Sequence, residues 1–228
     1  FMRANDPNLP HLRRIAEALG DLREQLVFVG GSIAGLLLTD PLAEGVRATL
    51  DVDAVVDAGR AAFYRLEEAV AARGFVRDSS SDVICRWVHR ESGVVFDLMP
   101  VDAEVLGFTN RWYPYAVQTA EPVELAEGVT IRLVTAVAFV ATKLEAFVSR
   151  GRGDFVSSHD LEDVLNVVDG REHLVCELAA APTPLREAVA AVFAGLLAHP
   201  DFANVLPGLI AEPERADLIL ARLESMSR

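Results

Sequence analysis

The sequence predicts an α+β fold: a small α/β domain built on a mixed sheet, residues 1–134, followed by a C-terminal helical domain, residues 135–228. Three patterns predict it. Apolar runs of strand length occur at 26–29, 49–56, 83–89, 94–99 and 129–133, and the strand pattern ends near residue 135. Helical periods then fill 137–148, 159–168, 171–180, 185–197 and 213–226. Between the first strand and the helix after it stands Gly30-Gly31-Ser32, a tight break that gives the local order strand, turn, helix.

Taken in order, Leu12, Ile15, Ala16, Leu19 and Leu22 recur at helical spacing and predict a helix over 9–25. Leu26 to Val29 reads as a buried strand, and Ile33 to Leu38 as a short helix stopped by Asp40-Pro41. Residues 49–56 alternate as a strand does, and 61–72 form an amphipathic helix closed by Gly74. The runs 83–89 and 94–99 read as a hairpin turning at Glu91-Ser92-Gly93. The Pro-containing stretch with Trp112, Tyr113 and Tyr115 reads as irregular, and 150–158 as a polar loop.

Composition narrows the function classes only a little. Apolar residues make up 51% and charged residues 24% of the 228, which suits an enzyme or a binding module equally. Acidic residues outnumber basic ones 34 to 21, so the formal charge of −13 repels polyanions at long range. Nucleic acid would need a local basic path, for which Lys143, Arg150 and Arg152 are the candidates. Cys85 and Cys176 form no CxxC pair and are expected to be buried thiols in a reducing cytoplasm. The stretch from Phe1 to Leu12 lacks a signal-peptide core, and no run reaches the ~20 apolar residues that span a bilayer, so a cytoplasmic chain with no membrane partner is expected. Five scattered histidines with no HExxH leave oxygen as the expected metal ligand.

The chemistry-bearing residues are few. Asp51 and Asp53, two apart on a strand, project their carboxylates from one face, and like charges held that close favour a cation such as Mg²⁺. The plainer alternative is two solvated acids at a strand edge. Asp97 interrupts the apolar run Val94–Met99, where an unpaired carboxylate would cost several kcal/mol if buried. Its partner is either a metal shared with Asp51 and Asp53 or an arginine such as Arg86, and Asp102 is a weaker candidate for a third acid. Gly30, Gly31 and Ser32 offer backbone N–H groups and a hydroxyl to an anion such as phosphate, or simply make a tight turn. Neither GxGxxG nor the P-loop fits, since Ser32 stands where a glycine is needed and Leu36-Leu37 where Lys-Ser/Thr is needed.

Strand, GGS, helix, DxD on the next strand and a lone Asp on a later strand together resemble the DNA polymerase β-type nucleotidyltransferase superfamily. That resemblance implies a palm-like first domain in which Asp51, Asp53 and Asp97 bind Mg²⁺ or Mn²⁺, Asp97 also serves as base, and Ser32 contacts the NTP phosphates. Lys143-Leu144-Glu145-Ala146, the polar loop Arg150 to Asp154 and the helix start Asp160 to Asp163 are similar to the AbiEii-like toxin nucleotidyltransferases, with His159 standing where a lysine is usual. By that resemblance Lys143 meets the nucleotide phosphates and Asp160 completes the site by orienting it, while Asp163 reads as a charge complementing the helix dipole. The implied activity is metal-dependent transfer of an NMP from an NTP to an acceptor hydroxyl: a tRNA 3′ end, a small molecule or a protein. A cognate antitoxin is the implied partner. The alternative is a non-catalytic nucleotide-binding or toxin–antitoxin interaction module.

Overall fold

Seven segments, most of them rich in β-branched or aromatic residues, pair into one mixed sheet: Val27–Val29 (β1), Asp51–Val56 (β2), Phe75–Arg77 (β3), Arg86–His89 (β4), Val95–Pro100 (β5), Glu121–Ala126 (β6) and Val129–Leu133 (β7). Their order is β3-β4-β5-β2-β1-β7-β6. β2 runs parallel to β5 and β1 to β7, and every other pair is antiparallel. The computed structural model describes residues 5–43, 45–150 and 154–228. It divides into two compact units: one runs to Gly35 and resumes over Arg47–Thr135, and the other combines Leu36–Val46 with Ala136–Arg228. The fold is mixed α/β, and among the described residues no single helix is long and apolar enough to cross a membrane.

The sheet unit explains its own register. Val52, Ala54, Phe96 and Leu98 point to one face and are fully buried, so a one-residue slip would bring Asp53 and Asp97 into that core. The hairpin places Val88 opposite Val95, which leaves Arg86 opposite Asp97. Its helices are Leu9–Leu19 (α1), Arg60–Ala72 (α3), Ala103–Leu106 (α4) and Tyr113–Thr119 (α5), while Ala34–Leu37 (α2) spans the division between Gly35 and Leu36. α1 stops earlier than its periodicity suggests, because Gly20 turns with φ 58 and a 3₁₀ segment, Gly20–Gln25, follows.

Of the elements that escaped the sequence reading, three have a plain physical reason. β3 has only three residues. β6 is an edge strand whose Glu121, Pro122 and Glu124 face solvent, so it lacks apolar alternation; acids and proline are how edges avoid pairing with other chains. α5 opens with Pro114 in its first turn, where the missing N–H costs nothing, and what read as irregular is a helix start.

The helical unit contains Ala136–Ser149 (α6), His159–Gly170 (α7), Leu174–Ala179 (α8), Thr183–Ala198 (α9), Phe202–Val205 (α10) and Ala216–Met226 (α11). Phe139, Leu144, Val164, Leu165, Phe193, Ile219 and Leu223 are buried in its core. Ser158 caps α7 by accepting a hydrogen bond from the Leu161 N–H at 3.2 Å. At the other end of α7, the Thr39 and Asp40 N–H groups donate to the Gly170 carbonyl at 2.8 and 2.9 Å. Arg215 clamps the same segment, reaching Asp40 and Asp169 at 2.6 Å each. Those bonds tie 36–46 to the helices, although the sequence places that segment in the first domain.

Candidate functional site

Directly opposed residues on neighbouring strands share a face of the sheet. Val29 lies opposite Asp53, Asp53 opposite Asp97 and Asp97 opposite Arg86, so one row crosses four strands with two acids at its centre and an arginine at its end. Asp51 projects from the same face two residues before Asp53. Further along this face the Tyr113 hydroxyl lies 3.3 Å from the Met99 sulfur. Asp51 and Asp53 are half-buried.

The partner of Asp97 is Arg86. Its Nε donates to Asp97 Oδ1 at 2.9 Å and its Nη2 to Oδ2 at 2.7 Å, a two-pronged clamp, and Nη2 also reaches Asp51 Oδ2 at 3.2 Å. The Asp97 side chain is only 7% exposed and that of Arg86 24%, so the bond is largely shielded from solvent. Hydrogen bonding to Asp97 holds the guanidinium above its already high pKa, and its charge is permanent. Of the two partners left open by the sequence, the structure supplies the arginine. A three-residue turn at 91–93 would have set Trp87 opposite Asp97; the His89 N–H donates to the Val94 carbonyl at 3.0 Å, so the connection is one residue longer and brings Arg86 there instead.

Gly30 follows Val29 with φ 76, a region that L side chains rarely adopt. A Cβ built there would overlap the Asp53 carboxylate, so the glycine lets the turn close on that acid. Gly31 and Ser32 continue into a 3₁₀ turn, Gly31–Ile33, and are buried. Ser32 is 1% exposed and its Oγ has no hydrogen-bond partner among the described residues. A buried orphan hydroxyl costs roughly 1–3 kcal/mol. Ser32→Ala should therefore raise the stability of the ligand-free chain by up to about 1 kcal/mol in urea unfolding. A loss larger than that would show that the hydroxyl is already matched.

Among the described residues, no three Asp, Glu, His or Cys side chains are gathered as a preformed metal site. Both oxygens of Asp97 are turned to Arg86, so Asp97 does not present itself as a third ligand. Asp51 and Asp53 do fit a Mg²⁺ ion, which is commonly held by one or two carboxylates and completed by waters and substrate phosphates. Asp102 is the N-cap of α4, accepting from the Glu104 N–H at 2.8 Å, which gives it a local structural role. Burial first, then the charges of Asp97 and Asp53, push the Cys85 thiol up to about 12, so it stays protonated at neutral pH. Cys176, expected to be buried, is exposed, since it falls on the outer face of the short helix α8.

Lys143 and Asp160 belong to the helical unit. Lys143 Nζ lies 3.0 Å from Asp160 Oδ1 and 2.8 Å from Asp163 Oδ2. Asp163, read as a charge complementing the helix dipole, is 1% exposed and also pairs with Lys143, lying one turn beyond Asp160 on the face that meets it. Arg150, exposed, adds a contact to Asp160 Oδ2 at 3.3 Å. Gly151, Arg152 and Gly153 lie outside the described residues.

No family model matches the chain, and no curated protein matches it. It is similar to the crystal structure of JHP933 from Helicobacter pylori, at 12% sequence identity and a TM-score of 0.50, over 100% of this chain and 94% of that one. At that identity the likeness is one of fold.

Proposed function

We propose that the chain is a metal-dependent nucleotidyltransferase that moves an NMP from an NTP to an acceptor hydroxyl. The observation that carries this reading is the row Val29, Asp53, Asp97, with the Gly30 turn closed against Asp53. A glycine turn that presents backbone N–H groups beside a carboxylate pair is suited to a triphosphate bridged by a cation. Asp51 and Asp53 would hold Mg²⁺ or Mn²⁺, which when bound would supply positive charge to the phosphates. Gly30, Gly31 and Ser32 would take phosphate oxygens, and the orphan Ser32 hydroxyl gives that contact a reason. In the reaction the acceptor oxygen bonds the α-phosphorus, the α–β phosphoanhydride bond breaks and pyrophosphate leaves. The acceptor proton passes to a carboxylate of the cluster.

Lys143 and Asp160 enter this reading through the AbiEii-like resemblance alone, as do a tRNA acceptor and a cognate antitoxin. The charge of −13 favours a small molecule or a protein hydroxyl as acceptor, because RNA affinity grows with Lys and Arg contacts to phosphate. One observation favours a second reading: Arg86 engages Asp97, the residue expected to act as base, as it would in a non-catalytic nucleotide-binding module.

Calorimetry with MgATP and MgCTP, followed by labelled-NTP transfer to RNA, small alcohols and protein, tests both. Mg²⁺- or Mn²⁺-dependent NTP binding with transfer of the label is the expected result. Binding without transfer to any acceptor class would favour the module, and no metal-dependent NTP binding would sink both readings.

A further inference from the structure

We infer that Arg86 is the built-in cation of this site, occupying Asp97 and one edge of Asp51 so that the carboxylates take up a single divalent ion, on Asp51 and Asp53. The inference rests on the nucleotidyltransferase reading and specifies how that site is charged. Arg86 is no stray surface residue: it stands in β4 directly opposite Asp97, which stands directly opposite Asp53. Its position is therefore set by the same ladder that sets the acids. Nε and Nη2 take one oxygen each of Asp97, the fork geometry a guanidinium offers and an ammonium does not. The third contact, Nη2 to Asp51 Oδ2, stretches to 3.2 Å and leaves the other Asp51 oxygen to a metal.

Charge balance points the same way. Three carboxylates are neutralised by one guanidinium and one divalent ion, whereas a second divalent ion beside the fixed guanidinium would leave the cluster positive at close range. A second ion would also have to displace Arg86 from a carboxylate that is nearly out of water. Arg86 is thus a positioning residue: it holds Asp97 out of the metal's shell and confines the ion to the acids nearest the Gly30 turn.

The test is Mn²⁺ titration of the full chain, without nucleotide, read by electron paramagnetic resonance and calorimetry. The parent should bind one Mn²⁺. Asp53→Asn should lose it, and Asp97→Asn, which removes an acid that is not a ligand, should keep it. Arg86→Gln should bind Mn²⁺ at least about tenfold more tightly or take up a second ion, because a fixed positive charge within a few ångströms has gone. Circular dichroism checks that each variant is folded, and if Arg86→Gln is not, the Asp97→Asn arm decides alone. Two ions in the parent, or loss of the ion in Asp97→Asn, overturns this inference and leaves the nucleotidyltransferase reading standing. Parental Mn²⁺ affinity and stoichiometry in a folded Arg86→Gln also overturns it. No Mn²⁺ bound by the parent, with no metal-dependent NTP binding, overturns both.

Discussion

Lys143→Met should cost about 3–5 kcal/mol of stability, the usual penalty for removing one partner of a buried ion pair. The side chain of Lys143 is 13% exposed and that of Asp163 1%, so without the ammonium a carboxylate remains in the core of the helical unit. Methionine keeps most of the volume, which separates loss of charge from loss of packing. Burial alone would push the Lys143 pKa down, but the charges of Asp163 and Asp160 and their hydrogen bonds outweigh it, and the net direction is up. A lysine raised on folding contributes stability that is complete below its unfolded pKa, about 10.4, and lost as pH climbs through the folded value. The parent should therefore weaken in alkali. Lys143→Met combined with Asp163→Leu should regain most of the loss in urea unfolding, a coupling that neither single change predicts. A cost below about 1 kcal/mol would return Lys143 to the solvated surface.

What the sequence disclosed follows from where each signal is written. Strands with one buried face announce themselves, and β2 and β5 were legible because the buried Val52, Ala54, Phe96 and Leu98 alternate with the acids Asp51, Asp53 and Asp97. β6 was not, since an exposed edge hides its period behind Glu121, Pro122 and Glu124. The break near residue 135 was visible in the change of period. The capping of α7 by the Thr39-Asp40 backbone was not, because N–H to carbonyl bonds across 130 residues of chain leave no mark in side-chain pattern.

The site divides in the same way. Spacing put Asp51 and Asp53 on one face, and strand register alone brought Asp97 beside Asp53. Whether Asp97 faces a metal or an arginine depends on the hairpin register, which one residue of turn length decides. A three-residue turn at 91–93 sets Trp87 opposite Asp97, and only the longer connection between His89 and Val94 sets Arg86 there. Asp163 was read short for a different reason: an acid near a helix N-terminus suits the dipole by itself, and only packing reveals its contact with Lys143.

Gly30→Ala should cost turnover at least about 100-fold, although Gly30 offers the substrate nothing but backbone. Two costs combine. A non-glycine residue at φ 76 is strained by roughly 1–3 kcal/mol, which a folded unit of this size absorbs with a lower midpoint in urea. The new methyl must also displace Asp53, whose carboxylate and Cβ both lie within the space it would occupy. A carboxylate moved by about an ångström no longer meets the ion and phosphates in the geometry the reaction needs. Asp53→Asn, which keeps the shape and removes the charge, should lose turnover and metal binding at least as severely, with little change in stability. If Gly30 acts through Asp53, the double variant should be no slower than Asp53→Asn alone. Gly195→Ala, in the interior of α9 with nothing near its Cβ, serves as the control and should gain about 0.5–1 kcal/mol without touching turnover. Parental turnover in Gly30→Ala, or strictly additive losses in the double variant, would mean that the turn does not position Asp53, and the glycine would then serve the fold alone.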